Sequence, residues 1–255
     1  MKALFIVGHW NSGTTLLVDL LRKHPDLALK KARYKPNLEE TSTQKLLARQ
    51  GYPLIDFGHD YDRVLEHQGF DYWQQPQLSP QELAKFQKCW YRKFAPRSGK
   101  MLLWKNPWLF FYPEFIAKAF AHDTLRKVYI LRDGRSQVVS KDYWKRTDGD
   151  AAAKLIARAH FWVYCMEWFF QTWDQDPDCL TLRYESVTGQ PEASMRQICD
   201  HAGLDFSPLE AHLPPALENR LKNWNRLEPG LQAEVEAIIM PMQERIDARF
   251  PVSVG

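Results

Sequence analysis

The sequence predicts an α/β fold, a central parallel sheet with helices on both faces. Short apolar runs at residues 3–7, 101–104, 127–131 and 180–183 alternate with longer helical segments, the pattern of strand–helix–strand units. Each run ends on a turn that leads into a helix, as expected of parallel strands covered on both sides. The first run, Ala3-Leu4-Phe5-Ile6-Val7, passes through a glycine-bearing turn, Gly8 to Thr15, directly into a helix.

The elements follow in order. Residues 3–7 read as a buried strand and 14–23 as a helix that stops near His24-Pro25. Residues 26–78 are poorly periodic and broken by Pro36, Pro53 and Pro76, which predicts irregular structure with short helices. Ser79-Pro80-Gln81-Glu82 is a helix start, with Ser79 as N-cap, Pro80 at the first position and Glu82 closing the capping box; that helix should reach Phe94. A strand at 101–104 precedes Lys105-Asn106-Pro107 and a helix near 112–121. The strand 127–131 ends at Arg132-Asp133, with a helix over 134–145. Residues 150–173 form a long helix, apolar almost all round in its second half, so Trp162, Trp168, Trp173 and His160 read as core. The strand 180–183 ends at Tyr184-Glu185, and helices over 191–202 and 229–249 follow.

Composition narrows the function. A chain of 255 residues with 45% hydrophobic and 25% charged residues is long enough for one complete core, so a single domain over 1–255 is expected. The net charge of +3, with no basic run or tail, argues against nucleic acid. Cys89, Cys165, Cys179 and Cys199 form no close pair, so they read as free thiols, with neither a disulfide framework nor a zinc site. The longest apolar stretch, Phe161 to Phe170, contains Glu167 and is too short to span a bilayer. Met1-Lys2 leads straight into the first strand, so no leader is expected, and the reading is a soluble, cytoplasmic protein.

The turn Gly8-His9-Trp10-Asn11-Ser12-Gly13-Thr14-Thr15 has the spacing of a phosphate-cradling loop, G-x-x-x-x-G-K-[ST], with Thr14 where the lysine belongs. A strand feeding a helix through such a turn aims backbone N–H groups and the positive helix end at one point, which suits an anion. Without the lysine that holds β- and γ-phosphates, the loop is ill suited to ordinary ATP or GTP hydrolysis. In an open α/β sheet the ligand lies beyond the carboxyl ends of the strands. Here those ends carry this turn, Lys105, Arg132 and Tyr184.

The segment Ser12-Gly13-Thr14-Thr15-Leu16, preceded by Gly8, resembles the 5′-phosphosulfate loop of sulfotransferases that use 3′-phosphoadenosine 5′-phosphosulfate (PAPS). The segment Ile130-Leu131-Arg132-Asp133-Gly134-Arg135-Ser136-Gln137-Val138-Val139-Ser140 is similar to that family's 3′-phosphate segment, a strand followed by R-D-P-R and a serine eight residues after the first arginine. Leu182-Arg183-Tyr184-Glu185 looks like its tyrosine–glutamate turn, and Lys222-Asn223-Trp224 is a looser match to its late basic loop. The resemblance runs in order from residue 3 to roughly 245, apart from 26–100, which match nothing in the family pattern.

This resemblance implies a P-loop sulfotransferase-like fold and transfer of a sulfonate from PAPS to an acceptor hydroxyl or amine, leaving PAP. No metal is expected, because no acidic strand end is placed to hold magnesium beside Thr15 and direct sulfonate transfer does not need one. Charge and hydropathy predict no nucleic-acid or membrane partner. It implies that Asn11, Ser12, Gly13, Thr14, Thr15 and Leu16 hold the 5′ end, that Arg132, Ser140 and Lys222 hold the 3′-phosphate, and that Tyr184 lies near the adenine. Lys105 resembles the family's second lysine, able to reach the sulfonate or bridging oxygen. Residues 26–100 are then the insertion that shapes a pocket for a small-molecule or peptide acceptor.

Two departures stand out. Asn11 occupies the position where relatives carry Lys or Arg, a cation that assists the leaving group. Pro107 occupies the position of the histidine base of the cytosolic small-molecule branch, so Lys105-Asn106-Pro107 is closer to bacterial and tyrosylprotein-type members, which can use a glutamate after the first helix. Glu39 is the first choice for that base, then Glu40 and His59. Two alternatives remain open at this point: a catalytically silent PAP or PAPS binder, which Asn11 favours, and a nucleotide kinase-like phosphotransferase, against which Thr14 counts. His9 and Trp10 suit either packing or pocket lining, and Arg135 reads as structural.

Overall fold

The computed structural model describes residues 1–29, 42–49, 76–96, 99–139, 151–217, 221 and 223–252. β1 (Lys2–Val7) runs through the glycine turn into α1 (Thr14–Leu21), and β2 (Leu27–Ala28) follows. Then come α2 (Ser42–Ala48), α3 (Pro80–Phe94), β3 (Met101–Lys105), a 3-10 turn (Pro107–Phe111) and α4 (Pro113–Ala119). β4 (Thr124–Leu131) leads into α5 (Gly134–Val138), and the long α6 (Ala151–Gln171) precedes β5 (Cys179–Arg183). The chain continues through α7 (Tyr184–Gly189), α8 (Pro191–Ala202), α9 (Ser207–Glu210) and α10 (Pro229–Arg249).

The sheet has five strands in the order β2-β3-β1-β4-β5, and every pairing is parallel. Four strands were expected. The fifth, β2, is a two-residue edge strand paired with Met101 and Leu102, too short to give a periodic signal. Helices cover both faces. Ala3, Phe5 and Val7 of β1 join Trp104, Tyr129, α3, α6 and α10 in one core, whereas Leu4 and Ile6 join Leu103, Val128, Ile130, α1 and α8 in the other. The period-two alternation of a strand puts successive residues into opposite cores, which explains why β1 contains no polar residue after Lys2.

Helix boundaries follow local chemistry. The Ser79 capping box forms as expected: Glu82 N donates to Ser79 Oγ at 3.3 Å and Ser79 N donates to Glu82 Oε2 at 2.9 Å. Trp162, Trp168 and Trp173 are buried. His160 is exposed, contrary to the core assignment, and the buried polar residue on that helix is Arg158. The helical stripe is displaced by two residues because Leu155, Arg158, Ala159 and Trp162 share the inward face.

β1 is flanked by β3 on one side and β4 on the other, the point at which the strand order reverses. The carboxyl ends of these three strands therefore open a common crevice, the usual ligand position of an open α/β sheet.

Candidate active site

The glycine turn lies at the mouth of that crevice. Asn11 has a left-handed backbone (φ 58°), a conformation asparagine tolerates better than most residues, and Gly13 follows at φ 109° as the N-cap of α1. No side chain caps that helix end and no acidic residue lies in its first turn, so its leading N–H groups remain available to an anion. A side chain at position 13 is excluded twice, by the backbone angle and by the Tyr184 ring, whose Cδ2 would lie 2.4 Å from an added Cβ.

Lys105, the last residue of β3, is fully buried and donates from Nζ to Thr15 Oγ1 at 2.7 Å. The register pairs it with Ile6, so its side chain emerges beside the turn at the end of β1. A cation thus reaches the loop from a neighbouring strand, although Thr14 stands at the loop's own lysine position.

Arg132 follows the end of β4. Its Nη1 donates to the carbonyl of Asn11 at 2.8 Å, and its guanidinium lies 4.4 Å from the centre of the Tyr184 ring. It does not pair with Asp133. Arg135 takes that role, with Nη2 2.9 Å from Asp133 Oδ2 while Asp133 also caps Ser136 N. Tyr184 is wedged between Gly13 and Arg132, so the tyrosine contacts both halves of the predicted site.

Four buried donors at this site have no hydrogen-bond partner among the described residues: Asn11 Nδ2, Ser12 Oγ, Arg132 Nε and Ser136 Oγ. Buried polar atoms are almost always paired, so a group of orphans that can all donate marks a place for an acceptor-rich, anionic ligand. The neighbouring carboxylates Asp133 and Glu185 are already neutralised by Arg135 and Arg183. Ser136 carries one of these orphans and was missed in the sequence; its one distinguishing signal was its position, one turn before Ser140.

Behind the loop, Gln137 ties three elements together. Its Oε1 accepts from Trp162 Nε1 at 3.1 Å, which turns its Nε2 toward His9 Nδ1 at 2.7 Å and toward the Trp10 carbonyl. His9 Nδ1 is therefore an acceptor and the neutral ring carries its proton on Nε2. Burial, reinforced by the Arg158 guanidinium, holds the His9 imidazole well below its ordinary pKa. Trp10 stacks on Phe161 at 5.2 Å, with Arg158 5.8 Å from its ring centre. His9 thus packs as a neutral support of the loop.

Asn11, Ser12, Gly13, Thr14 and Thr15 lie in the turn or at the start of α1, Lys105 and Arg132 reach it from the ends of β3 and β4, Tyr184 packs on Gly13, and Leu16, one residue further, packs against the core. Ser140, Lys222, Glu39, Glu40 and His59 lie outside the described residues. Asn223, next to Lys222, approaches the Val139 carbonyl at 3.5 Å, so the late loop borders the segment that begins at Arg132. Among the described residues no group of three His, Cys, Asp or Glu side chains is placed to hold a metal, and no helix is long and apolar enough to cross a membrane.

A family model described as the sulfotransferase family matches residues 3–208. The chain belongs to that family. Solved structures agree on the fold. A sulfotransferase from Alicyclobacillus acidocaldarius superimposes with a TM-score of 0.60 at 15% identity, covering 100% of this chain and 97% of its own. Mouse sulfotransferase SULT7A1 complexed with PAP gives 0.55 at 14% identity, covering 96% and 85%. A retinol dehydratase in complex with retinol and PAP gives 0.54 at 15% identity, covering 100% and 84%. No curated protein matches the sequence. The matched span includes the glycine turn, Lys105, Arg132 and Tyr184, and stops short of α10.

Proposed function

We propose that the chain transfers a sulfonate group from PAPS to an acceptor hydroxyl or amine and releases PAP. The observation that carries this reading is the paired arrangement of two cations around one glycine turn: Lys105 at its helix end through Thr15, and Arg132 at its outer end through the Asn11 carbonyl. The orphaned donors of Asn11, Ser12, Arg132 and Ser136 suit a ligand anionic at both ends, and two structural relatives carry PAP.

PAPS supplies an activated sulfonate and a phosphate leaving group. In this reading the uncapped end of α1, with Ser12, Gly13, Thr14, Thr15 and Leu16, holds the 5′ end, and Arg132, Ser136, Ser140 and Lys222 hold the 3′-phosphate. Lys105 is fully buried, and there its charge stabilises negative charge developing on the leaving oxygen more strongly than in bulk solvent. Tyr184, with its ring centre 4.4 Å from the Arg132 guanidinium, supports that arginine and lies near the adenine. Glu39 takes the acceptor's proton, the role of a general base. The acceptor is a small molecule or peptide bound by the segment 26–100.

A second reading, a silent PAP or PAPS binder, draws on Asn11, which brings a neutral amide to a position where relatives have a cation. Incubation with PAPS and a panel of phenol, sugar, amine and tyrosyl-peptide acceptors separates the two. Acceptor-dependent PAP release, absent in Lys105→Met, is the expected result. Tight PAP binding with no release for any acceptor would favour the silent binder, and magnesium-dependent ATP turnover would overturn both.

A further inference from the structure

The turn that presents Arg132 is held from behind by a closed hydrogen-bond circuit that α10 completes. Gly134 N donates to Gln243 Oε1 at 2.9 Å, and Gln243 Nε2 donates to Asp247 Oδ1 at 2.8 Å. Arg183 Nη1 donates to the same Asp247 oxygen at 2.6 Å, and its Nε donates to Glu185 Oε2 at 3.3 Å. Glu185 Oε1 accepts from Asp133 N at 3.0 Å, and the Asp133–Gly134 peptide closes the ring.

The chemistry of the circuit is self-consistent. The amide of Gln243 has one donor side and one acceptor side; the carboxylate of Asp247 fixes the donor side, so the oxygen must face Gly134. Gln243 is only 1% exposed, and a long polar side chain that deep is retained where its groups are all paired. Both backbone N–H groups that follow Arg132 are thereby fastened to buried side chains of other elements. Gly134 packs closely on Trp162: a Cβ there would lie 3.0 Å from its ring and would push it aside.

We infer that Gln243 is a positioning residue for the 3′-phosphate: through Gly134 it fixes the turn from which Arg132 reaches the crevice. This rests on the reading of Arg132 as the 3′-phosphate ligand. Gln243 touches no ligand itself, and it lies outside the span matched by the family model. Its effect should therefore fall mainly on ligands bearing a 3′-phosphate, since the circuit bonds directly to the turn that follows Arg132 and meets the loop only through the Arg132–Asn11, Gln137 and Tyr184–Gly13 contacts.

The test is calorimetry of the full chain with PAP and with adenosine 5′-phosphate, which lacks the 3′ group. Wild type should prefer PAP. In Gln243→Leu, PAP binding should weaken by about tenfold or more, the scale of a small misplacement of a binding group, while adenosine 5′-phosphate binding weakens much less. The paired exchange Gln243→Glu with Asp247→Asn keeps the net charge and still offers an acceptor to Gly134 N, so it should restore most of the PAP affinity. Asp247→Ala, at the half-exposed end of the circuit, should give a smaller loss of the same selectivity and serves if Gln243→Leu does not fold. Equal weakening of both ligands, or of neither, would overturn the positioning role. A wild-type chain that binds both ligands equally would instead overturn the 3′-phosphate reading on which it stands.

Discussion

Lys105 Nζ lies 2.7 Å from Thr15 Oγ1, joining residues 90 apart in sequence, with the lysine shut away from solvent. A buried ammonium is costly unless it is paired or faces an anion, so this contact ties the β3 end to the loop and stores a positive charge inside the crevice. Lys105→Met should lower kcat by about 10²–10³-fold, the usual effect of removing one transition-state donor, with a smaller loss in PAP affinity. Lys105→Arg should rescue poorly, because a fully buried position tolerates added bulk badly. Steady-state kinetics with any working acceptor checks both.

Gly13 is constrained by its positive φ and by the Tyr184 ring. Gly13→Ala should destabilise the fold by about 1–3 kcal/mol and abolish nucleotide binding. Tyr184→Ala in the same chain removes the steric part and leaves the backbone part, so the two substitutions should be non-additive in thermal denaturation. Strict additivity would contradict the contact.

Asn11 reports on catalytic competence. Asn11→Arg restores a cation beside the leaving group at a left-handed backbone position, which a longer side chain occupies at a cost of about 1 kcal/mol. Transfer should quicken by about tenfold while the melting temperature falls slightly. No change in rate in an otherwise active protein would show that Lys105 alone carries the charge.

His9 links pH to stability. Its pKa lies below the ordinary 6.5 because burial and Arg158 disfavour the imidazolium. Between that lowered value and 6.5 the unfolded chain binds a proton that the folded chain does not. The stabilisation is therefore complete above pH 6.5 and is lost as pH falls below it, by up to about 1.4 kcal/mol per pH unit. His9→Asn keeps an acceptor for Gln137 and should flatten the dependence between pH 6.5 and 5. An unchanged slope would place the titration elsewhere.

The sequence made the sheet legible wherever strands were long and apolar. The runs at 3–7, 101–104, 127–131 and 180–183 correspond to β1, β3, β4 and β5, extended by one to three residues, and 191–202 and 229–249 match α8 and α10. β2 escaped because two edge residues carry no period. The site was legible at strand ends, since topology alone gathers Gly13, Lys105, Arg132 and Tyr184. Contacts set by three-dimensional packing were not: the position of Tyr184 against Gly13, the exchange of partners that gives Asp133 to Arg135, and the reach of Gln243 to Gly134 across 109 residues leave no local trace.

In the proposed function, one nucleotide with phosphates at both ends is gripped by the glycine turn and Arg132 together. Calorimetry with PAP and with ATP on wild type and Arg132→Ala tests it most directly. PAP should bind far tighter than ATP, and Arg132→Ala should lose at least tenfold in PAP affinity with little change for ATP. ATP binding as tight as PAP, or PAP binding indifferent to Arg132→Ala, would contradict it.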